Sequence, residues 1–218
     1  MSIENKKTLD VYQDTAHLYL ENTVEHDRLD PEKAKKKREA LDEFIRISFS
    51  SLPENAKVFE IGSADGVNAK YIESLGYDVT ASDIADDFIN ATRSKGVKTI
   101  KFNALEDDFV EKYFAIFCWR VFVHFTEEDA KKLISKAYQN LEENGIFVFN
   151  AINREAKEVD SEWVDFPGEY HMGVERYYNY FTQDKLDEII GQTPFQIQSF
   201  HKEGGKEKNK WLVYVLKK

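Results

Sequence analysis

The stretch Glu60-Ile61-Gly62-Ser63-Ala64-Asp65-Gly66 constrains this chain most, because it converts a buried strand into a glycine-bearing turn and then into a helix. Lys57 to Ile61 reads as a short apolar strand, and Ala69, Ile72 and Leu75 then recur at helical spacing until Gly76 ends the run. Gly62 and Gly66 permit positive φ and a close backbone approach, as a ligand bound at such a turn requires. The next predicted strand, Asp78 to Ser82, stops at Asp83. A carboxylate about 20 residues beyond the turn is placed to accept the hydroxyls of a ribose. Together the turn and Asp83 point to a nucleotide-like ligand more specifically than the glycines alone.

The alternation continues after Asp83. A helix over Phe88–Arg93 closes at Gly96, Thr99–Phe102 reads as a strand, a helical turn is expected near Glu106–Lys112, and Phe114–Trp119 forms a fourth strand. Thr126 caps a helix with Ala130, Leu133, Ile134, Ala137 and Leu141 on its apolar side, Asn144-Gly145 ends it, and Ile146–Ala151 is a fifth strand. Strands joined by helices predict a parallel sheet with right-handed crossovers and a ligand at the strands' carboxyl ends. Residues 1–53 read as a polar helical cap, with Asp30 as N-cap and Pro31 in the first turn of its second half. Residues 153–181 hold Trp163, Phe166, Tyr170, Tyr177, Tyr178, Tyr180 and Phe181 without clean periodicity and are expected to cover the site. Thr182 caps a short helix ending at Gly191, and Phe195–Phe200 and Trp211–Leu216 form a closing hairpin around Gly204-Gly205 with a polar loop over 202–210. The expected fold class is thus α/β: a single domain over 1–218 with a Rossmann-like, mostly parallel sheet of about seven strands flanked by helices, plus a C-terminal antiparallel hairpin.

With 218 residues, 42% of them hydrophobic, the chain can fill one sizeable core. A net charge of −10 argues against nucleic acid or an anionic membrane as partner and favours a small uncharged or cationic molecule. The basic run Lys35 to Arg38 is offset by Glu32, Glu39, Asp42 and Glu43, which makes it a solvated helix face. The apolar runs are too short to span a bilayer. A lone cysteine, Cys118, and the lack of a charged-then-apolar leader make the cytoplasm the expected compartment. Oligomeric state is left open.

From Lys57 to Asn150, and more loosely in the closing hairpin, the sequence resembles the class I S-adenosylmethionine-dependent methyltransferases. Glu60-x-Gly62-x-Ala64-x-Gly66 is similar to that family's acidic-residue-then-glycines motif, with Ala64 in place of the usual middle glycine. The resemblance implies S-adenosylmethionine as cofactor and S-adenosylhomocysteine as product. It implies that Glu60 orders the loop or meets the methionine amino group, and that Gly62, Ser63, Ala64, Asp65 and Gly66 form the turn bordering the methionine and ribose. Asp83 would bind the ribose hydroxyls, Ile84 would pack on the adenine, and Asn103, beside Ala104, would lie near the adenine amino group. Cys118, Trp119 and Arg120 would face the methionine end, chiefly through their backbone, although Ala115 stands where an aspartate is common. The implied activity is methyl transfer to oxygen or nitrogen of a small molecule, a carbohydrate or nucleotide-sugar being preferred.

Such a transfer asks little of side chains beyond positioning, and needs a base only when the acceptor must lose a proton. His124 follows the fourth strand and is the candidate base; the equal alternative is a histidine hydrogen-bonded in a structural turn before Thr126. Tyr170, His171, Glu175, Arg176 and Tyr177 are candidates for the acceptor pocket, with core packing as the alternative for the aromatic ones. Tyr12 and Tyr19 would reach the acceptor from the first helix, Tyr19 serving equally well in packing. His171 and Glu175 have a helical spacing suited to a metal, but without a third ligand no metal is expected. Cys118 reads as a buried filler. Two other functions are weighed: a cofactor-binding regulatory module without turnover, and a nicotinamide-dependent oxidoreductase. The latter fits poorly, because its glycine spacing counted from Gly62 falls on Ala64 and Val67.

Overall fold

The computed structural model describes residues 1–165, 171–204 and 210–218, so Phe166, Tyr170 and Gly205 lie outside the described residues. Two helices, α1 (Ile3–Leu29) and α2 (Pro31–Phe49), precede the sheet. The Asp30 carboxylate accepts from the Lys33 amide at 3.1 Å, which satisfies one of the orphan donors of α2 and lets Pro31 occupy its first turn. Then come β1 (Lys57–Ile61), α3 (Val67–Ser74), β2 (Asp78–Asp83), α4 (Asp86–Ser94), β3 (Thr99–Lys101), β4 (Tyr113–Cys118), α5 (Glu127–Asn140) and β5 (Leu141–Asn153). The remainder is β6 (Ser161–Val164), β7 (Arg176–Phe181), α6 (Gln183–Ile190), β8 (Gln196–Glu203) and β9 (Trp211–Lys217).

Among the described residues the strands form one sheet of nine in which β3, β2, β1, β4 and β5 lie side by side and parallel. Because β1 pairs with both β2 and β4, the connections leave it in opposite directions, and a crevice opens there at the carboxyl ends. Alternate residues of each strand feed two cores. Phe59, Ile116 and Phe149 pack with α5 and α6 on one face, while Val58, Phe117 and Val148 pack with Ile45, Phe49 and Ile72 of α2 and α3 on the other.

The expected architecture is present, with three differences. The aromatic cover contains two strands, β6 and β7, which raises the count from seven to nine. Antiparallel β9 occupies one edge of β5 from Ile146 to Ile152, so β7 must take the other edge; it pairs parallel with Ile152 and Asn153, beyond the point where β4 stops at Cys118. The hairpin is thereby held over the end of β4. Second, 106–112 forms turns and irregular backbone rather than a helical turn. Third, α5 ends at Asn140 rather than at Asn144-Gly145, because Leu141 is already extended and pairs with Tyr113. Asn144 then takes φ 64° and a bulge restores register at Ala115 and Ile146.

Candidate active site

The turn after β1 is tied down by its neighbours. The amides of Gly62 and Ser63 both donate to the Ser82 carbonyl, at 2.8 and 2.9 Å, and the Ser82 hydroxyl donates back to the Glu60 carbonyl at 2.7 Å. Gly62, Ala64 and Gly66 have φ of 71°, 45° and 76°. A Cβ on Gly62 would sit 2.2 Å from Val121 Cγ2, and one on Gly66 would sit 2.9 Å from the Cα of Thr92, so both positions exclude a side chain. Ala64 takes a left-handed conformation that a glycine adopts more readily. The Thr92 hydroxyl donates to its carbonyl at 3.0 Å and lies 3.2 Å from the Ser63 hydroxyl.

Asp83, at the end of β2, locks this turn to the next strand. Its carboxylate accepts from the amides of Ile84 at 2.8 Å, Ala64 at 3.0 Å and Ala85 at 3.3 Å. Three amides leave about one of the four lone-pair directions of the carboxylate for a further donor. Burial nonetheless pushes its pKa up to about 6, the three amides opposing the rise. Glu60 lies deeper, 1% exposed, and among the described residues neither of its carboxyl oxygens has a hydrogen-bond partner of good geometry. Burial raises its pKa to about 8, with Asn68 opposing, so Glu60 is largely protonated at neutral pH.

A cleft opens between this turn and α1. Of the residues named from the sequence, Gly62, Ala64, Asp83, Ile84, Asn103, Ala104, Trp119, Arg120, His124, Tyr12 and Tyr19 line it. Asn5, Leu9, Phe88, Phe102, Val121 and Phe125 line it as well and were not anticipated. Asn5, Leu9, Tyr12 and Tyr19 follow one another at helical intervals, with buried Ala16 on the same face, so the spacing along α1 carried the signal for the missed pair. The Asn103 side chain accepts from the Leu105 amide at 3.0 Å, which fixes the loop after β3.

Other residues stand apart from the cleft wall. Ser63 and Gly66 serve the turn from behind, and Asp65 points outward, 3.9 Å from Lys95. Cys118 is fully buried in the core, with burial holding its thiol far above the ordinary range. His171 and Arg176 converge on Asp165, at 2.9 and 3.5 Å, instead of lining the cleft. Glu175 is exposed, and the segment 171–175 is not helical, so the spacing that suggested a metal pair does not exist in the fold. The Tyr177 ring packs on Trp163 at 5.7 Å while its carbonyl faces His124. Tyr170 lies outside the described residues.

His124 ends a 3-10 turn, Phe122–His124, and its ring is 5% exposed. Nδ1 lies 2.7 Å from the Tyr177 carbonyl and Nε2 lies 3.0 Å from the Tyr12 hydroxyl. Burial lowers its pKa to about 4; the Tyr177 carbonyl opposes this and the Arg176 charge adds to it.

A family model described as a methyltransferase domain matches residues 32–199. Among solved structures, a SAM-dependent methyltransferase from Methanosarcina mazei superposes with a TM-score of 0.67 at 17% identity, covering 79% of this chain and 96% of that one. An S-adenosylmethionine-dependent methyltransferase from Clostridium acetobutylicum gives 0.66 at 13%, covering 81% and 89%. The glycopeptide N-methyltransferase MtfA bound to S-adenosylhomocysteine gives 0.61 at 13%, covering 81% and 88%. Nothing among curated proteins matches the chain in sequence.

Two outcomes follow from the turn. Ala64 holds a left-handed conformation that costs an L-residue roughly 1–2 kcal/mol, so Ala64→Gly should raise the stability of the free protein by up to about 1 kcal/mol in urea unfolding. A carboxyl whose folded pKa is raised stabilises fully below its unfolded value, near 4.5, and loses that contribution as pH rises through about 8. Glu60→Gln should therefore raise the melting temperature relative to wild type at pH 9 and change it least at pH 5, as scanning calorimetry at the two pH values would show.

Proposed function

The chain belongs to the class I S-adenosylmethionine-dependent methyltransferases, and from that premise we propose that it methylates an oxygen or nitrogen of a small molecule admitted beside α1. The observation that carries this reading is the cleft itself. A fixed carboxylate and a turn too tight for a Cβ form one side, and an unpartnered buried carboxyl lies behind them. The far wall brings Tyr12 and His124 together. Those residues suit the cofactor chemically. Asp83 offers an acceptor to a ribose hydroxyl, Glu60 is a counter-charge for an α-ammonium group once ionised, and Ile84, Phe88 and Phe102 give apolar walls for a purine. When bound, S-adenosylmethionine supplies an electrophilic methyl group on a sulfonium.

What the protein adds is placement and exclusion of water. Tyr12 and Tyr19 of α1 close on Phe88, with ring centroids 6.1 and 5.5 Å away, and lay a hydrophobic helix face along the cleft. Aromatic faces with hydroxyls at their rims suit a sugar ring, and a carbohydrate or nucleotide-sugar acceptor remains our preference. No helix among the described residues is long and apolar enough to cross a membrane. The single cysteine supports a cytoplasmic setting.

The test is incubation with S-adenosylmethionine and a panel of monosaccharides, nucleotide-sugars and amines, followed by mass spectrometry. The reading expects S-adenosylhomocysteine and a singly methylated product in equal amounts. Cofactor binding with no product across the panel would replace it with a binding module.

A further inference from the structure

The first turn of α1 carries a buried amide to the cleft wall. Asn5 is 1% exposed and lines the cavity with Leu9 and Tyr12, which follow it on the same helix face. Its backbone amide donates to the Ser2 hydroxyl at 3.0 Å, and the Ser2 amide donates in turn to the buried Asp129 carboxylate at 3.0 Å. The side-chain nitrogen, Nδ2, donates to the His124 main-chain carbonyl at 3.3 Å. A carbonyl oxygen can only accept, so this contact fixes which end of the amide is nitrogen and which is oxygen. Among the described residues the oxygen, Oδ1, is buried without a hydrogen-bond partner. An amide oxygen so placed forfeits the bond it makes to water in the unfolded chain, and a ligand that brings a donor restores it.

The place of Asn5 along the cleft points to one part of that ligand. Tyr12 and Tyr19 lie against Phe88, beside Ala64 and Ala85, at the end closed by the glycine turn. Asn5 lies roughly 10 Å nearer the helix start than Tyr12, at the rise of an α-helix. One turn before it, Met1 Sδ is 3.6 Å from Asn103 Nδ2, so this end of α1 sits over the loop after β3. That loop begins beside Asp83: Lys101 is the register partner of Asp83, and the Phe102 amide donates to the Asp83 carbonyl at 2.9 Å. A base carried by a ribose at Asp83 has this loop and the start of α1 as neighbours. Asn103 turns its side chain back into the loop, Oδ1 accepting from the Leu105 amide at 3.0 Å and Nδ2 lying 3.4 Å from Glu106.

We propose that Asn5 reads the exocyclic amino group of the adenine, so that α1, and not the loop after β3 alone, sets the purine specificity of the site. This rests on the methyltransferase reading above. The ring nitrogens of a substituted adenine only accept hydrogen bonds, and its amino group is the donor. An oxygen that can only accept matches that group. It is mismatched to the 6-oxo group of hypoxanthine, which also only accepts. Asn5 cannot turn its amide to suit the wrong base, because the turn would set its oxygen against the His124 carbonyl. Asn5 is thus a specificity residue, and the His124 carbonyl is the group that locks it. The same contact ties the placement of α1, and with it Tyr12 and Tyr19, to the base of the cofactor.

Titration calorimetry with three ligands tests this without an acceptor or turnover: S-adenosylhomocysteine, its 6-oxo counterpart S-inosylhomocysteine, and the counterpart carrying an unsubstituted purine. Wild type should favour the 6-amino ligand over each of the others by about tenfold or more, the penalty for a buried polar group left unpaired. Asn5→Leu keeps the size of the side chain and removes its oxygen; Asn5→Ala or Asn5→Ser replaces it should that variant not fold. In the variant the 6-amino and unsubstituted ligands should bind within about threefold of each other, the oxygen that told them apart being gone. If Asn5 serves only to anchor α1 to the turn at His124, the variant weakens all three ligands alike and keeps the preference, and that result would overturn the proposal. Equal binding of the 6-amino and unsubstituted ligands by wild type would overturn it too. The wild type reads the underlying assignment separately: if it binds none of the three, the cofactor reading fails, and if it binds S-adenosylhomocysteine, only the role of Asn5 is at stake.

Discussion

Everything at the cleft depends on one carboxylate held by backbone amides. Asp83 ends β2, takes the Ile84 and Ala85 amides that open the way into α4, and reaches across to the Ala64 amide in the turn after β1. Backbone donors cannot rotate away as side chains can, so two crossovers that leave the sheet separately are fixed to each other at the crevice. The desolvation that raises the Asp83 pKa is the counterpart of this arrangement: the carboxyl sits where water does not reach it freely, and the amides recover part of what hydration would supply. Glu60, one strand away, has burial opposed chiefly by Asn68 and by no backbone amide. The proposed cofactor, which bears both hydroxyls and a positive charge, has one group to offer each of these carboxyls.

The opposite wall is assembled differently. β9 claims one edge of β5 and forces β7 onto the other, above the end of β4, and this places the Tyr177 carbonyl against the first histidine after that strand. The same strand brings Arg176 under α1 and offers the Tyr177 amide to the Thr8 hydroxyl at 3.0 Å. Thus α1 is held by β7 and His124 near its start, and by the small cluster of Ala16, Ala85 and Phe88 farther along. The cleft lies between those attachments and the main core.

How much of this was readable from the sequence follows from the range of each interaction. The glycine turn, Asp83 and the caps at Asp30, Thr126 and Thr182 are local chemistry: each cap accepts an amide three residues ahead, at 3.1, 3.3 and 3.2 Å. The β6–β7 hairpin was hidden because β7 carries aromatic side chains on both faces, so no period of two stands out; only its pairing with β5 makes it a strand. Leu141 continued the helical spacing of α5, and a bridge to Tyr113, 28 residues earlier, overruled it. His124 was legible as a residue of interest, but the contacts that engage both its ring nitrogens were not, since Tyr12 and Tyr177 lie 112 and 53 residues away in sequence. For the same reason Arg176 read as a binding residue, when it is wholly enclosed.

The central claim is that this cleft binds S-adenosylmethionine through the turn and Asp83. Titration calorimetry with S-adenosylhomocysteine, run on wild type and Asp83→Ala, tests it most directly. The account predicts one site per chain with micromolar affinity in wild type, and loss of measurable binding in a variant that still folds. No binding to the wild type, or equal binding to a folded Asp83→Ala, would contradict it.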